Sequence, residues 1–114
     1  MSGVQQVVFQ NQRSFISVAD APGIGAAEAT GETTATVAYT APANDGGATI
    51  TSYVATSTPG SITGTLSQAG SGTITVSGLT TGTAYTFTVH AVNSVGNSAE
   101  SSASGSITTY GVPD

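Results

Sequence analysis

From residue 24 onward the chain is a succession of short segments rich in Thr, Val, Ile and Tyr, each closed by a turn signal. The segments are 24–30, 34–40, 50–57, 62–67, 73–77, 84–93 and 101–109. Between them lie Gly31, the Ala-Asn-Asp-Gly-Gly run at 43–47, Pro59-Gly60, Gly70 to Gly72, the Leu-Thr-Thr-Gly run at 79–82, and residues 93–97. Strand-like runs punctuated every ~8–12 residues predict an all-β sandwich or small barrel of seven strands. Helix is disfavoured, because β-branched residues dominate and glycines interrupt every stretch long enough to coil.

The side-chain pattern says which way each strand faces. In Ala-Tyr-Thr-Phe-Thr-Val-His-Ala-Val-Asn, residues 84–93, Tyr85, Phe87, Val89 and Ala91 fall on one face. Thr86, Thr88, His90 and Val92 fall on the other, since successive strand residues point to opposite sides. The same alternation sets Val37 and Tyr39 against Thr36, Ala38 and Thr40, and Ile74 and Val76 against Thr73, Thr75 and Ser77. The expected core is therefore Val37, Tyr39, Tyr53, Ile74, Val76, Leu79, Tyr85, Phe87 and Val89, with His90 pointing outward into a threonine-lined face.

At 114 residues this is one domain with one core. Only 6% of residues are charged, against roughly 25% in an ordinary soluble protein. Solubility must come from Ser, Thr, Asn and Gln. With a net charge of −5, one Arg and no Lys, the chain lacks the cationic clusters that bind nucleic acid or anionic membrane. No run reaches the ~18 apolar residues that span a bilayer. The absence of cysteine removes disulfides and thiolate metal sites. The first residues show neither a basic n-region nor a continuous apolar h-region of a secretory signal. If Met1 is the native start, the protein is expected to be assembled in the cytoplasm.

The order Val-Ala-Tyr-Thr-Ala-Pro at 37–42, Asn-Asp-Gly-Gly-Ala-Thr-Ile-Thr-Ser-Tyr at 44–53, Ser-Thr-Pro-Gly at 57–60 and Ile-Thr-Val-Ser-Gly-Leu-Thr-Thr-Gly-Thr-Ala-Tyr at 74–85 resembles the fibronectin type III domain. The Thr- and Gly-rich character is similar to the bacterial and phage variety. The resemblance spans about residues 21–110 and implies a seven-stranded immunoglobulin-like β-sandwich; outside it lie an extended N-terminal arm at 1–20 and a short tail at 111–114. It implies that Leu79 and Tyr85 form the family's tyrosine corner, in which the hydroxyl bonds back to upstream backbone. One departure is expected to matter: the second strand of this family usually carries a core Trp, and Tyr39 stands there instead.

Several residues invite a chemical reading. The 43–47 loop offers a nest of backbone N–H groups for an anion, or Asn44 and Asp45 as cation ligands. Calcium needs ~6–8 oxygens and the loop supplies one carboxylate, so a plain turn is the stronger reading. His90 is the only histidine, and its expected neighbours are threonines, which makes a solvated strand histidine the stronger reading there. The acids Asp20, Glu28, Glu32, Asp45, Glu100 and Asp114 are scattered and form no pair of the kind a glycosidase needs. No Arg-Gly-Asp triplet and no N-glycosylation sequon occurs. The sequence thus calls for no enzyme activity and no cofactor. End-loop contacts with a partner are expected at Asn44, Asp45, Asn93, Val95 and Asn97, although Val95 is better read as packing over the end of the core.

The arm is the least ordinary segment. Val7, Val8, Phe9, Phe15 and Ile16, with the lone Arg13 between them, have no place in the seven strands. The arm either packs back on its own sandwich or docks on another subunit by strand addition; docking is the favoured reading. The resulting expectation is a non-enzymatic structural and interaction module. It would be a virion surface or tail accessory (decoration-type) protein, assembled in the host cytoplasm with protein partners that include possible self-contacts. Two alternatives stay open: a glycan or cell-surface binding module working through end loops, and a spacer from a secreted bacterial enzyme.

Overall fold

The computed structural model describes residues 16–111. Two antiparallel sheets face each other across a single core. The strands are β1 (Gly23–Ala29), β2 (Thr34–Thr40), β3 (Ser52–Thr58), β4 (Thr63–Leu66), β5 (Gly72–Ser77), β6 (Ala84–Val92) and β7 (Ile107–Thr108). One sheet has the order β1-β2-β5 and the other β4-β3-β6-β7.

Alternation places the core. In β6, Tyr85, Phe87, Val89 and Ala91 are buried while the residues between them are half-buried. Val37 and Tyr39 of β2, Tyr53 of β3, Ile74 and Val76 of β5, and Leu79 in the following loop complete the interior with Ala35, Ile50 and Ala55. Burying each large side chain contributes about 1.5–3 kcal/mol. The outward positions are largely threonine. Register places Thr56 opposite Thr63 on one side and Thr88 on the other, and Thr36 opposite Thr75. Such hydroxyl pairs each contribute about 0.2–1 kcal/mol and keep the faces wet without charge.

The tyrosines in the core keep their hydroxyls satisfied. Tyr39 and Tyr53 lie with ring centroids 4.2 Å apart, and their hydroxyls donate to the carbonyls of Gly70 and Ala69, both at 2.7 Å. Tyr39 therefore fills its site with an aromatic ring and sends its polar end to the β4–β5 loop. The Thr80 N–H donates to the Tyr85 hydroxyl at 2.9 Å, which pins the β5–β6 loop to the strand it feeds. These are the contacts of a tyrosine corner.

Among the edge strands only β1 carries a charge, at Glu28, and geometry does more to manage the edges. β1 is bulged between Ile24 and Ala27, which bends it away from regular pairing. β4 lies tightly against β5, and a Cβ at Gly64 would overlap the Thr75 carbonyl.

The last strand differs from expectation. A strand over 101–109 was expected; only Ile107–Thr108 pairs with β6 as a strand. Upstream of it, Ser98, Ser101 and Ser104 stand in for one. Their N–H groups donate to the carbonyls of Ala91, Val89 and Phe87, each at 2.8 Å. The N–H groups of the same three β6 residues donate back to the serine hydroxyls at 2.8–3.0 Å. Each serine hydroxyl donates onward to the carbonyl of the next residue. Serine side chains compete with backbone for such bonds, and a Ser every third residue meets a β6 residue every second. The segment is therefore a strap of repeated bulges and not a pleated strand.

Candidate functional site

The end of the sandwich where the chain enters is organised by one side chain. Asn93 follows directly on β6, on the same parity as Tyr85, Phe87, Val89 and Ala91, and it is buried. Its amide donates to the carbonyls of Ser17 at 2.8 Å and Asp45 at 2.9 Å. Its carbonyl oxygen accepts from the N–H groups of Val95 and Gly96 at 3.0 and 3.2 Å. Two donors and two lone pairs are thus all used, the full capacity of an Asn side chain.

This hub joins three segments. The chain at 17–20 runs along the β2–β3 loop, with Ser17 N–H donating to Gly46 O at 2.8 Å and Asp20 N–H to Asn44 O at 3.0 Å. Gly46 has φ 80°, and a Cβ there would overlap the carbonyl oxygens of Ser17 and Val18. Only glycine fits. The β2–β3 loop itself is built from Asx turns: Asn44 Oδ1 accepts from Gly46 N–H and Asp45 Oδ1 from Gly47 N–H, both at 2.9 Å. The 43–47 run is a bend that also receives the incoming chain.

The end-loop residues fall into two groups. Asn44, Asp45, Val95 and Asn97 are exposed. Asn93 was expected as a contact residue and is instead interior, because its side chain is committed to tying the loops together. Val95 was expected to cover the end of the core and is instead 46% exposed. The Asn93 carbonyl captures the Val95 and Gly96 N–H groups and so turns the loop tip outward. Ile16 (51%) and Val18 (38%) are exposed at the same end, and a side chain at position 96 would meet Val18 Cγ1. The arm residues Val7, Val8, Phe9, Arg13 and Phe15 lie outside the described residues.

His90 also departs from expectation. Its outward-facing side chain is 13% exposed, and Nδ1 lies 2.7 Å from Glu100 Oε2. The neighbour is a carboxylate from the strap, where threonines alone were expected. Sequence parity could not show this, because Glu100 reaches His90 only through the strap's three-for-two register. Asn93 did leave a signal: a polar residue on the core parity of the longest strand. Among the described residues no three His, Asp or Glu side chains converge on a point that could hold a metal, and no pocket opens.

Opposite this end, Tyr110 N–H donates to Gly31 O and Gly82 N–H to Tyr110 O. The chain therefore enters at one pole of the sandwich and leaves at the other.

Comparison with solved structures gives similar folds among muscle proteins. Domains A168–A170 of titin match with a TM-score of 0.66 and 30% identity, over 83% of this chain and 33% of that one. Titin kinase with its flanking domains matches with a TM-score of 0.64 and 28% identity, over 82% of this chain and 17% of that one. This chain thus spans a third or less of those two. Titin module A71 from human cardiac muscle matches at 32% identity and a TM-score of 0.59, over 80% of this chain and 92% of the module. No curated protein sequence matches. The fibronectin type III domain profile matches residues 20–107, and with the tyrosine corner and the two-sheet order in place, the chain belongs to the fibronectin type III family.

Proposed function

We propose that this protein is a non-enzymatic attachment module whose N-terminal arm docks on another subunit of a larger assembly. Fibronectin type III domains are generally structural and interaction modules. The observation that carries the reading is the built exit of the arm. Ser17 is held on both its N–H and its carbonyl by the β2–β3 loop and Asn93, and Ile16, Val18 and Val95 stand exposed around that exit. An arm launched from a fixed point beside an apolar rim is suited to strand addition or apolar docking.

The assembly we favour is a virion surface or tail, put together in the host cytoplasm. Support for it is the Thr- and Gly-rich sequence and the nearly uncharged surface. A glycan-binding end is the weaker reading. Asn93 has no free polar atom, and one oxygen of each of Asn44 and Asp45 is spent inside its own loop.

Arg13 is the only Lys or Arg of the chain and hence its single trypsin site. Trypsin is expected to cut the isolated protein at Arg13 quickly and to leave it intact in particles purified from the native source. Equal cleavage in both would remove the docking role.

A further inference from the structure

We infer that residues 98–106 form a strap that opens independently of the sandwich and guards the outer edge of β6. The attachment of the strap is polar throughout. Its buried side chains are Ser98, Ser101 and Ser104, and its bonds to β6 are the three serine N–H donors and the three serine hydroxyl acceptors. No large apolar side chain anchors it before Ile107. The side-chain tie from Glu100 to His90 sits on the outer face with the carboxylate 47% exposed, where ion pairs hold weakly.

Both ends of the strap carry glycine. Gly96 precedes it with φ 155°, and Gly105 sits near its end with open space around the position of a Cβ. The opposite side of β6 is different in kind. It pairs with β3 from Ser52–Val92 to Thr58–Thr86, a ladder backed by Tyr53, Phe87 and Val89 in the core. Segments with few buried apolar contacts open at the low end of the stability range.

Opening has a defined consequence. Phe87, Val89 and Ala91 would present N–H and C=O groups at two-residue spacing, the layout of an edge ready to receive a strand. The closed strap occupies those groups through serine hydroxyls in a three-for-two register. Its own outer side is out of step with a pleated strand and offers no matching ladder. The strap thus does for this edge what charged residues do in other proteins.

Native-state hydrogen exchange on the full chain tests this. The amides of Phe87, Val89, Ala91, Ser98, Ser101 and Ser104 should exchange as one group, at least about tenfold faster than those of the β2–β5 ladder. They should also show little denaturant dependence, because the opening exposes little surface. Exchange of both groups at one rate and one denaturant slope would overturn the inference. Ser101→Ala should accelerate the strap group alone, and an equal acceleration across the β2–β5 ladder would overturn it as well.

Discussion

Asn93 donates a 2.8 Å hydrogen bond to the carbonyl of Ser17, across 76 positions of the chain. The bond joins the root of the arm to the residue that follows the longest strand. With the bonds to Asp45, Val95 and Gly96, one amide side chain orders an entire pole. Asn93→Ala would leave these part-buried groups without partners and should cost about 1–3 kcal/mol. Asn93→Asp, nearly the same shape, should cost at least as much, because it replaces the amide nitrogen and its two N–H donors with one oxygen facing two carbonyls. Denaturant titration of both variants measures this; an Asp variant as stable as wild type would show that the donors do not hold the arm.

Tyr39 takes the site where the family usually keeps Trp, and it is 3% exposed. Tyr39→Ala should destabilise by about 3–5 kcal/mol, the usual loss for a buried aromatic. Tyr39→Phe keeps the ring and removes only the bond to Gly70, so about 1 kcal/mol is expected. The check is equilibrium unfolding, and an Ala variant losing less than about 1 kcal/mol would place the ring outside the energetic core.

Burial raises the pKa of both Tyr39 and Tyr53 above 10.0, with the Tyr39 value also lowered by Gln68 and raised by Tyr53. A phenolate could no longer donate to Gly70 or Ala69. The folded-state values lie above those of the unfolded chain, so the stability contribution is complete below pH 10.0 and is lost as pH rises through the folded values. Ultraviolet titration should show these two phenols ionising only above pH 10, together with loss of the fold. Their ionisation below pH 10 in the intact fold would contradict the burial argument.

The parts of this fold that sequence revealed are those governed by a simple period. Tyr85, Phe87 and Val89 alternate with Thr86, Thr88 and His90, and that rule is local, so it placed β6 and its core face. The tyrosine corner came from the family resemblance, which the Leu79 to Tyr85 spacing carried. The strap was hidden, because Ser98, Ser101 and Ser104 repeat at three, a period that marks neither a pleated strand nor a hydrophobic stripe. The His90–Glu100 contact and the exposure of Val95 depend on that strap and on the Asn93 hub, so they followed it out of view. Asn93 itself was legible in part, as the one polar residue continuing the Tyr85 to Ala91 face.

His90 and Glu100 form a contact that fastens the strap to the outer face of β6. Glu100 is nearly half exposed, so the coupling is expected at about 0.2–1 kcal/mol in a double-mutant cycle of His90→Ala and Glu100→Ala. Where His90 carries a proton on both ring nitrogens the contact is an ion pair, and salt should weaken it, since a surface pair is screened over about 10 Å at 0.1 M. Coupling above this range, and unchanged by salt, would assign the pair a deeper structural role than its exposure supports.

Ile16, Val18 and Val95 together make the apolar rim where the arm leaves. The core does not use Val18 and Val95, so replacing both with Ser should change the unfolding free energy by no more than about 0.5 kcal/mol at each site. If a partner subunit covers them, each loses about 1 kcal/mol of burial in the complex, and retention on the native assembly should drop at least about tenfold. Sedimentation of purified assemblies with wild-type and doubly substituted protein measures the difference directly. Equal retention with equal stability would move the docking contact away from this rim and onto the arm alone.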